Sequence, residues 1–256
     1  MPIKMIVTDL DGTLLRTDKT ISDRTKSVLC QCRKSGIMVV YATGRGGSAE
    51  QVAPTEIFDG KITMNGAIAK SGDIIVHDCL IPYLTARPLL LACDKRKMKI
   101  TSEISGMHYS NFNVSELWSY ITSYQIVDFS QHEMDAEKLY TPNPTPEDKL
   151  FIEQILPTEL YFVVTVDING FLGQIMHIGA TKATAVSALA KYWGISQIDI
   201  VAFGDDFNDI EMLRECGIGV AVENAIDEVK VVADFVCDTN DNDGVAKWLE
   251  ERILNA

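Results

Sequence analysis

The feature that most constrains the fold is a pattern of short apolar runs that each end at a polar residue. Residues 3–8 lead directly into Asp9, and residues 37–42 lead into Thr43. Runs this short, rich in β-branched residues and lacking polar–apolar alternation, are typical of parallel strands buried on both faces. The N-terminal part of the chain therefore predicts β-α-β units built on a parallel sheet.

The same pattern returns near the C-terminus, so both ends of the chain are predicted to share one sheet. The further elements predicted for these ends are a helix with N-cap Ser22 and stop Gly36, a strand over 62–64, a helix over 183–193, a strand over 198–203, a helix over 209–215, strands over 217–222 and 235–237, and a helix from Asp243. Capping residues and apolar periodicity support these assignments.

The middle of the chain has a different pattern, in which hairpins replace β-α-β units. A hairpin is predicted over 68–78, a helix over 82–98, a loop over 141–146 because of its alternate prolines, and a hairpin over 163–178 turning at Asn169-Gly170. We therefore expect an α/β fold with a Rossmann-like parallel-sheet core, formed by 1–81 and 179–256. An inserted α+β domain spans 82–178.

Composition narrows the range of partners. The 256 residues carry 23 Lys and Arg against 36 Asp and Glu, a net charge of −13, which disfavours nucleic acid and anionic membrane surfaces. No signal peptide or membrane-spanning run is expected, and the six scattered cysteines are typical of reduced thiols in a cytoplasmic protein. The sequence leaves open a monomer or a weak homo-oligomer.

Carboxylates and other polar side chains are concentrated just after the predicted strands. They are Asp9, Asp11, Thr43, Asn65, Asp205, Asp206, Asn208 and Asp209. Ligand sites of open α/β sheets lie beyond the carboxyl ends of the strands. Because these side chains offer only oxygen ligands, Mg²⁺ is favoured over zinc.

The stretch Asp9-Leu10-Asp11-Gly12-Thr13 carries the most specific chemistry. A carboxylate at a strand end can act as a covalent nucleophile. Asp11, two residues later, can protonate a leaving oxygen and then activate water. Gly12 frees the backbone for a tight turn after the strand, although Asp and Gly after a strand are also ordinary turn residues.

Several motifs in this order resemble the haloacid dehalogenase-like (HAD) superfamily of phosphatases, and in particular its Cof-like branch with an α/β cap. The matching segments are 9–15, 42–45, 65–67, 179–182 and 204–212, followed by the C-terminal tail. The resemblance covers about 1–80 and 178–256, while the cap matches in placement and rough element content only. It implies a Mg²⁺-dependent phosphatase acting on a small phosphorylated metabolite, such as a sugar phosphate.

The resemblance also implies individual roles. Asp9 would be the nucleophile that forms an aspartyl phosphate, Asp11 the general acid and base, and Lys182 the cation that screens repulsion between Asp9 and the phosphate. Phosphate or substrate would be bound by Leu10, Thr43, Gly44, Arg45, Asn65 and Asn208. Mg²⁺ would be held by Asp9, the Asp11 carbonyl and Asp205. Asp206 and Asp209 would lie beside these ligands without binding the ion.

Three alternatives remain open at this point. A phosphomutase or other phosphotransferase would share the first chemical steps, and a phospho-aspartate switch also gathers carboxylates, Thr and Lys at strand ends. A non-catalytic binding module is disfavoured because every expected reactive group is present. In the cap, Asn111, Trp118 and residues 105–111, including His108, are candidate substrate contacts. The acidic run 238–244 is expected to form a loop and helix cap rather than a calcium site.

Overall fold

The computed structural model describes residues 3–167 and 169–255. Contacts divide the chain into two units, which we call the core unit, residues 1–78 and 181–256, and the inserted unit, residues 79–180. The boundaries expected from the sequence fell at 81/82 and 178/179. The chain therefore passes from one unit to the other close to the two positions where the strand pattern changes.

The core unit is built on an eight-stranded sheet. Its strands are β1 (Met5–Thr8), β2 (Met38–Ala42), β3 (Gly60–Thr63), β4 (Ile68–Ser71), β5 (Ile74–Asp78), β12 (Ile200–Gly204), β13 (Ile218–Val222) and β14 (Phe235–Cys237). Their order is β14-β13-β12-β1-β2-β3-β4-β5. The first six strands of this order are parallel, and β4 and β5 add an antiparallel hairpin. The predicted parallel sheet is thus confirmed.

The centre of this sheet explains why its polar strand ends converge. All four residues of β1 are buried, and β1 pairs with β2 on one side and β12 on the other. Asp9, Thr43 and Asp205 each directly follow one of these adjacent parallel strands. Because adjacent parallel strands end at the same edge, the fold brings these three side chains to one place.

Helices pack around the core sheet. They are α1 (Asp23–Lys34), α2 (Ala49–Val52), α5 (Lys182–Trp193), α6 (Ile210–Glu215), α7 (Asp227–Val232) and α8 (Gly244–Leu249), with a π-helical turn at Glu250–Leu254. The predicted N-cap of α1 is confirmed, since Ser22 accepts a hydrogen bond from the Thr25 amide. Helix α7 was not predicted from the sequence.

The inserted unit is a six-stranded sheet with two helices. Its strands are β6 (Thr101–Ile104), β7 (Met107–Ser110), β8 (Tyr124–Ile126), β9 (Lys138–Pro142), β10 (Leu160–Asp167) and β11 (Gly170–His177), and its helices are α3 (Tyr83–Lys95) and α4 (Pro146–Ile155). The order is β10-β11-β9-β6-β7-β8, antiparallel except between β7 and β8. Both helices pack against the sheet through a common apolar cluster.

Two sequence expectations in the inserted unit are wrong in detail. Residues 141–146 are not one loop, because β9 extends to Pro142 and α4 begins at Pro146. Pro142 is tolerated since it pairs only with Leu172 of β11, beyond the point where β6 ends its pairing with β9. Gly170, predicted to lie in the turn, instead belongs to β11 and pairs with Asp167. Ile168, which precedes Asn169, lies outside the described residues.

The acidic run 238–244 forms the connection before α8, as expected, and contains a 3₁₀ turn at Asn240–Asn242. Its carboxylates form ion pairs within the core unit: Asp243 pairs with Arg16 at 2.8 Å and Asp238 with Lys247 at 2.6 Å. Asp243 is the N-cap residue of α8, as expected, although its side chain makes no cap hydrogen bond. All six cysteines are free thiols, and no described helix has the length and apolar character to cross a membrane.

Candidate active site

A buried lysine between two aspartates is the centre of the site. The Lys182 Nζ, at the start of α5, donates to Asp9 Oδ1 at 2.6 Å and to Asp209 Oδ1 at 2.7 Å. Lys182 is 1% exposed, Asp9 5% and Asp209 0%. An ammonium buried this deeply is stable only with such charged partners. The three residues that the sequence selected from opposite ends of the chain therefore form one charged unit.

The site carries more negative than positive charge. Asp9, Asp205 and Asp209 each place a carboxylate oxygen within 4.8 Å of the others. Burial, together with the charges of Asp209 and Asp205, raises the pKa of Asp9 well above its usual value, although Lys182 opposes this shift. Burial likewise raises the pKa of Asp205 to about 6, against the hydrogen bond from Thr13. A divalent cation would relieve this excess.

One carboxylate oxygen of Asp9 differs from those of Asp209 in its hydrogen bonding. Asp9 Oδ2 is buried and has no hydrogen-bond partner among the described residues. By contrast, Asp209 Oδ2 accepts from the amides of Asp205 at 3.0 Å and Asp206 at 3.2 Å, and its Oδ1 accepts from Lys182. A buried unpartnered oxygen is rare and points to a missing ligand. Asp9 is therefore the carboxylate best placed to bind an ion or react, whereas Asp209 holds Lys182 and the loop.

The turn after β1 holds Asp205 in place. Thr13 Oγ1 donates to Asp205 Oδ1 at 2.7 Å, and Asn224 Nδ2 donates to the Gly12 carbonyl at 2.7 Å. Gly12 has φ +88°, and a Cβ there would lie 2.3 Å from Asp205 Oδ2. Only glycine combines this left-handed conformation with such close approach. The turn and the Asp205 carboxylate therefore fit together only with glycine at this position.

We expect Gly12→Ala to lower the free energy of unfolding by roughly 2–4 kcal/mol, because backbone strain adds to the steric conflict with Asp205. Gly36→Ala is the matched control, since Gly36 has φ +85° but no atom lies within 4 Å of the point that a Cβ would occupy there. It should lose only about 1 kcal/mol. Urea unfolding of both variants measures the difference. Equal losses would show that Asp205 does not occupy the position described.

The loops after β2 and β3 form the next part of the site. Thr43 is buried, and its Oγ1 accepts a hydrogen bond from the Arg45 amide at 3.1 Å. Asn65 has φ +53°, and its backbone N–H donates to the Thr43 carbonyl at 2.9 Å. A Cβ on Gly44 would lie 2.9 Å from Asn65 Oδ1. The four residues predicted to bind phosphate in these loops thus lie together.

Asn65 also joins this pair of loops to the one after β12. Its Oδ1 accepts from Asn208 Nδ2 at 2.8 Å. In that same loop, Asp206 Oδ1 accepts from the Phe207 amide at 2.8 Å, and Asp206 is exposed. Asn208 therefore lies with the predicted phosphate-binding residues, whereas Asp206 stabilises the turn that carries Asp209.

Asp11 is held by two cations on the same unit. Arg45 binds both oxygens of its carboxylate, with Nη2 to Oδ1 at 2.7 Å, and Lys19 Nζ donates to Oδ1 at 2.8 Å. Burial of the carboxyl opposes ionisation, but the hydrogen bonds from Arg45 and Lys19 outweigh it and lower the pKa of Asp11 to about 2. Asp11 is therefore a carboxylate in this arrangement, ready to accept a proton rather than to donate one.

We expect Arg45→Met to destabilise the fold by about 1 kcal/mol or less at neutral pH, because the Asp11 pair is partly exposed. The lowered pKa of Asp11 adds stability above its unfolded pKa, near 4, and that stability is lost as the pH falls toward about 2. The difference between wild type and variant in urea unfolding should thus shrink from pH 6 to pH 3. Arg33→Met, which breaks the Arg33–Asp59 pair instead, controls for general effects. A difference independent of pH would contradict the assigned pairing.

Some residues of the site were not found from sequence, and some predicted contacts have other partners. Lys19, which pairs with Asp11, was not predicted because nothing in its spacing marks it. Leu10 is buried, and its carbonyl accepts from the amides of the following turn. Asn111 bridges the end of α3 to β6, donating to Asp94 at 2.7 Å and accepting from the Ile100 amide at 3.0 Å. Trp118 packs against Tyr140 in a small apolar cluster.

Comparisons with known proteins agree with this geometry. A model of the haloacid dehalogenase-like hydrolase family matches residues 6–249. A putative phosphatase of Haemophilus influenzae is 30% identical, over 99% of both chains. A 5-amino-6-(5-phospho-D-ribitylamino)uracil phosphatase of Bacillus subtilis is 29% identical, over 98% of this chain and 96% of its own.

A solved structure supports the same assignment. A phosphatase of the haloalkanoate enzyme superfamily from Bacteroides thetaiotaomicron superposes with a TM-score of 0.81 at 28% identity, covering 98% of this chain and 95% of its own. The matched region includes both units and every strand that positions the site. The chain therefore belongs to the haloacid dehalogenase-like hydrolase family and is an enzyme of its phosphatase class.

Proposed function

We propose that this enzyme is a Mg²⁺-dependent phosphatase that forms an aspartyl-phosphate intermediate on Asp9. The observation that carries the proposal is the state of the Asp9 carboxylate. Its Oδ1 is fixed by Lys182, while its Oδ2 is buried without a partner among the residues described. A carboxylate oriented in this way by one cation and otherwise unsatisfied is suited to nucleophilic attack on phosphorus.

The donor set fits a magnesium ion. Asp9, Asp205 and the carbonyl of Asp11 would hold it, and all are hard oxygen donors. The raised pKa values of Asp9 and Asp205 and the unpartnered Asp9 Oδ2 support a cation at this position. When bound, the ion neutralises charge on the phosphoryl group and orients the reacting oxygens.

The protein's own groups supply the remaining chemistry. A carboxylate oxygen of Asp9 forms a bond to phosphorus as the bond to the ester oxygen breaks, and Lys182 screens the repulsion between the two anions. Asp11 protonates the leaving oxygen, then takes a proton from water as that water attacks the aspartyl phosphate. Since Arg45 and Lys19 favour the ionised form of Asp11, the structure described suits the second step. The first step requires Asp11 to leave these partners and to take up a proton from solvent, which it then gives to the ester oxygen.

The phosphoryl oxygens would be bound by groups in the loops that follow β1, β2, β3 and β12. These are the Thr43 hydroxyl, the backbone amides of Leu10, Gly44 and Arg45, and the Asn65–Asn208 pair. Positioning and charge stabilisation of this kind account for most of the catalysis of phosphoryl transfer. The inserted unit would act as the cap that sets substrate specificity.

The substrate we propose is a small phosphorylated metabolite with a sugar or sugar-alcohol chain. Support comes from the relative in Bacillus subtilis, whose named substrate carries a phosphorylated ribityl group. The net charge of −13 also fits a small substrate better than a long polyanion.

The test is the release of p-nitrophenolate from p-nitrophenyl phosphate with Mg²⁺, after EDTA treatment, and after Mg²⁺ is restored. We expect activity that disappears with EDTA and returns with Mg²⁺. Full activity in EDTA would contradict the role of the ion, and no hydrolysis of any phosphomonoester would contradict the proposal as a whole. Transfer of phosphate to added sugars in preference to water would indicate a phosphotransferase. A phosphoenzyme that persists for minutes would indicate a switch.

A further inference from the structure

Strand β10 lies at one edge of the sheet in the inserted unit, where β11 is its neighbour. It pairs with β11 over its whole length, from Leu160 to Asp167. The N–H and C=O groups that point away from β11 are open, since no other backbone hydrogen bond joins residues 161–166 to any part of the chain that the structure describes. An open edge of this kind is a template for pairing with another strand.

The other edge strands of the two described sheets carry features that prevent such pairing. β8 and β14 each have 3 residues. β5 follows Asp73 and ends at Asp78, and its pairing with β4 contains a register shift. Short strands, charges and irregular register all discourage association between edges. β10 has none of these features, because it is 8 residues long and residues 160–166 contain neither a charge nor a proline.

The side chains of β10 are apolar on both faces of the sheet, and some remain open to solvent. Val163 is 37% exposed and Val166 83%. Leu160 and Phe162 pack in the apolar cluster shared with α3 and α4, so Val163 lies on the opposite face of the sheet. A long, apolar and regularly paired edge strand that is left open is a site of association.

The sequence of β10 is suited to pairing with a second copy of itself. A two-fold axis perpendicular to a sheet relates two antiparallel strands so that one residue lies opposite itself. With Val163 on the axis, residues 160–166 of both copies pair completely, and Leu160 of each copy lies opposite Val166 of the other. This register brings no like charges together and leaves Asp167 outside it.

We propose that the β10 edge binds the β10 edge of a second copy of this chain, so that the two inserted units share one continuous sheet. Such a contact uses the same surface on both copies, as in most homodimers, and it closes after two copies because each has one β10 edge. It covers Val163 and Val166 together and gives the outward backbone groups of both strands a partner.

Cysteine substitutions on the strand test this register. Val163→Cys places two thiols opposite each other, where Cα atoms lie about 4.5–5.5 Å apart, within the range that a disulfide requires. Val166→Cys is the matched control, because residue 166 is more exposed but lies about 20 Å from its own copy across the axis. With diamide as oxidant, we expect Val163→Cys to form a disulfide-linked dimer faster than Val166→Cys by about tenfold or more. Wild type measures the background from the native thiols.

Sedimentation velocity provides an independent measurement without oxidation. Wild type should contain dimer at protein concentrations on the order of 100 µM. Val163→Lys should abolish this dimer, because two ammonium groups then lie opposite each other. Leu150→Lys, at a leucine of α4 that is 59% exposed, should leave it unchanged.

Three results would overturn the proposal. They are a wild-type protein that stays monomeric at this concentration, a dimer that persists in Val163→Lys, and equal cross-linking rates in the two cysteine variants. None of these measurements depends on phosphatase activity, so their outcome leaves the proposed function untouched.

Discussion

Replacing Asp9 with Asn should reduce kcat for p-nitrophenyl phosphate by about 10⁴-fold or more, comparable to the loss of a nucleophile in other enzymes with covalent intermediates. An amide is nearly the same size as a carboxylate but is a far weaker nucleophile, so the phosphoryl group has no acceptor. The substitution also weakens the contact that fixes Lys182 at 2.6 Å. Steady-state release of p-nitrophenolate at saturating Mg²⁺ measures the effect.

The fold should survive this substitution. Asp9→Asn removes one of the carboxylates that share Lys182, which relieves charge repulsion in a buried site where the pKa of Asp9 is raised. Thermal unfolding should therefore show a melting temperature no lower than that of wild type. Asp23→Asn, at a fully exposed carboxylate, controls for the chemical change alone. Turnover by Asp9→Asn within tenfold of wild type would rule out Asp9 as the nucleophile.

Replacing Lys182 with Met should have the largest effect on stability. Asp9 and Asp209 would then be buried with no cation, and breaking a buried ion pair by removing one partner costs about 3–5 kcal/mol. Catalysis should fall as well, by about 10²–10³-fold in kcat/KM, because a preorganised positive charge beside the nucleophile is lost. Urea unfolding and steady-state kinetics measure the two effects separately.

The pH dependence of the Lys182→Met variant gives a further check. Lys182 opposes the upward shift in the pKa of Asp9, so without the ammonium the pKa of Asp9 in the folded state should lie still further above its unfolded value. Raised carboxyl pKa values destabilise the fold at high pH, and the penalty decreases as the pH falls and the groups become protonated. The stability lost relative to wild type should therefore be smaller at pH 5 than at pH 8. Lys191→Met, on the exposed side of the same helix, should lose little at either pH. Equal losses in the two variants would contradict the buried charge unit.

The sequence was sufficient to predict the parts of the site that follow strands. Asp9, Thr43 and Asp205 each come directly after a short apolar run, and adjacent parallel strands necessarily end together. Lys182 could not be assigned in this way, since a lysine at a helix start is ordinarily exposed. Its assignment came from a resemblance, and the structure provides the physical reason in two buried aspartates on either side.

Other features depend on tertiary context that the sequence does not display. Lys19 is eight residues from Asp11 and carries no motif, so only the folded loop reveals their 2.8 Å contact. Helix α7 is six residues long, has no side-chain cap, and contains three valines, so its local sequence resembles a strand. Pro142 was read as a strand breaker, whereas its position at the end of β9 makes it compatible with pairing. Short elements and strand ends are where local propensity is weakest as a guide.

The most direct test of the proposed chemistry is to identify the residue that becomes phosphorylated. Asp11→Asn should permit attack on p-nitrophenyl phosphate, whose leaving group needs no proton, but should slow the activation of water that follows. The phosphoenzyme should therefore accumulate. Acid quenching, reduction of the acyl phosphate with tritiated borohydride and peptide mapping should place the label at residue 9 as homoserine. A label at another residue, or hydrolysis without any labelled protein, would contradict the assignment of Asp9 as nucleophile.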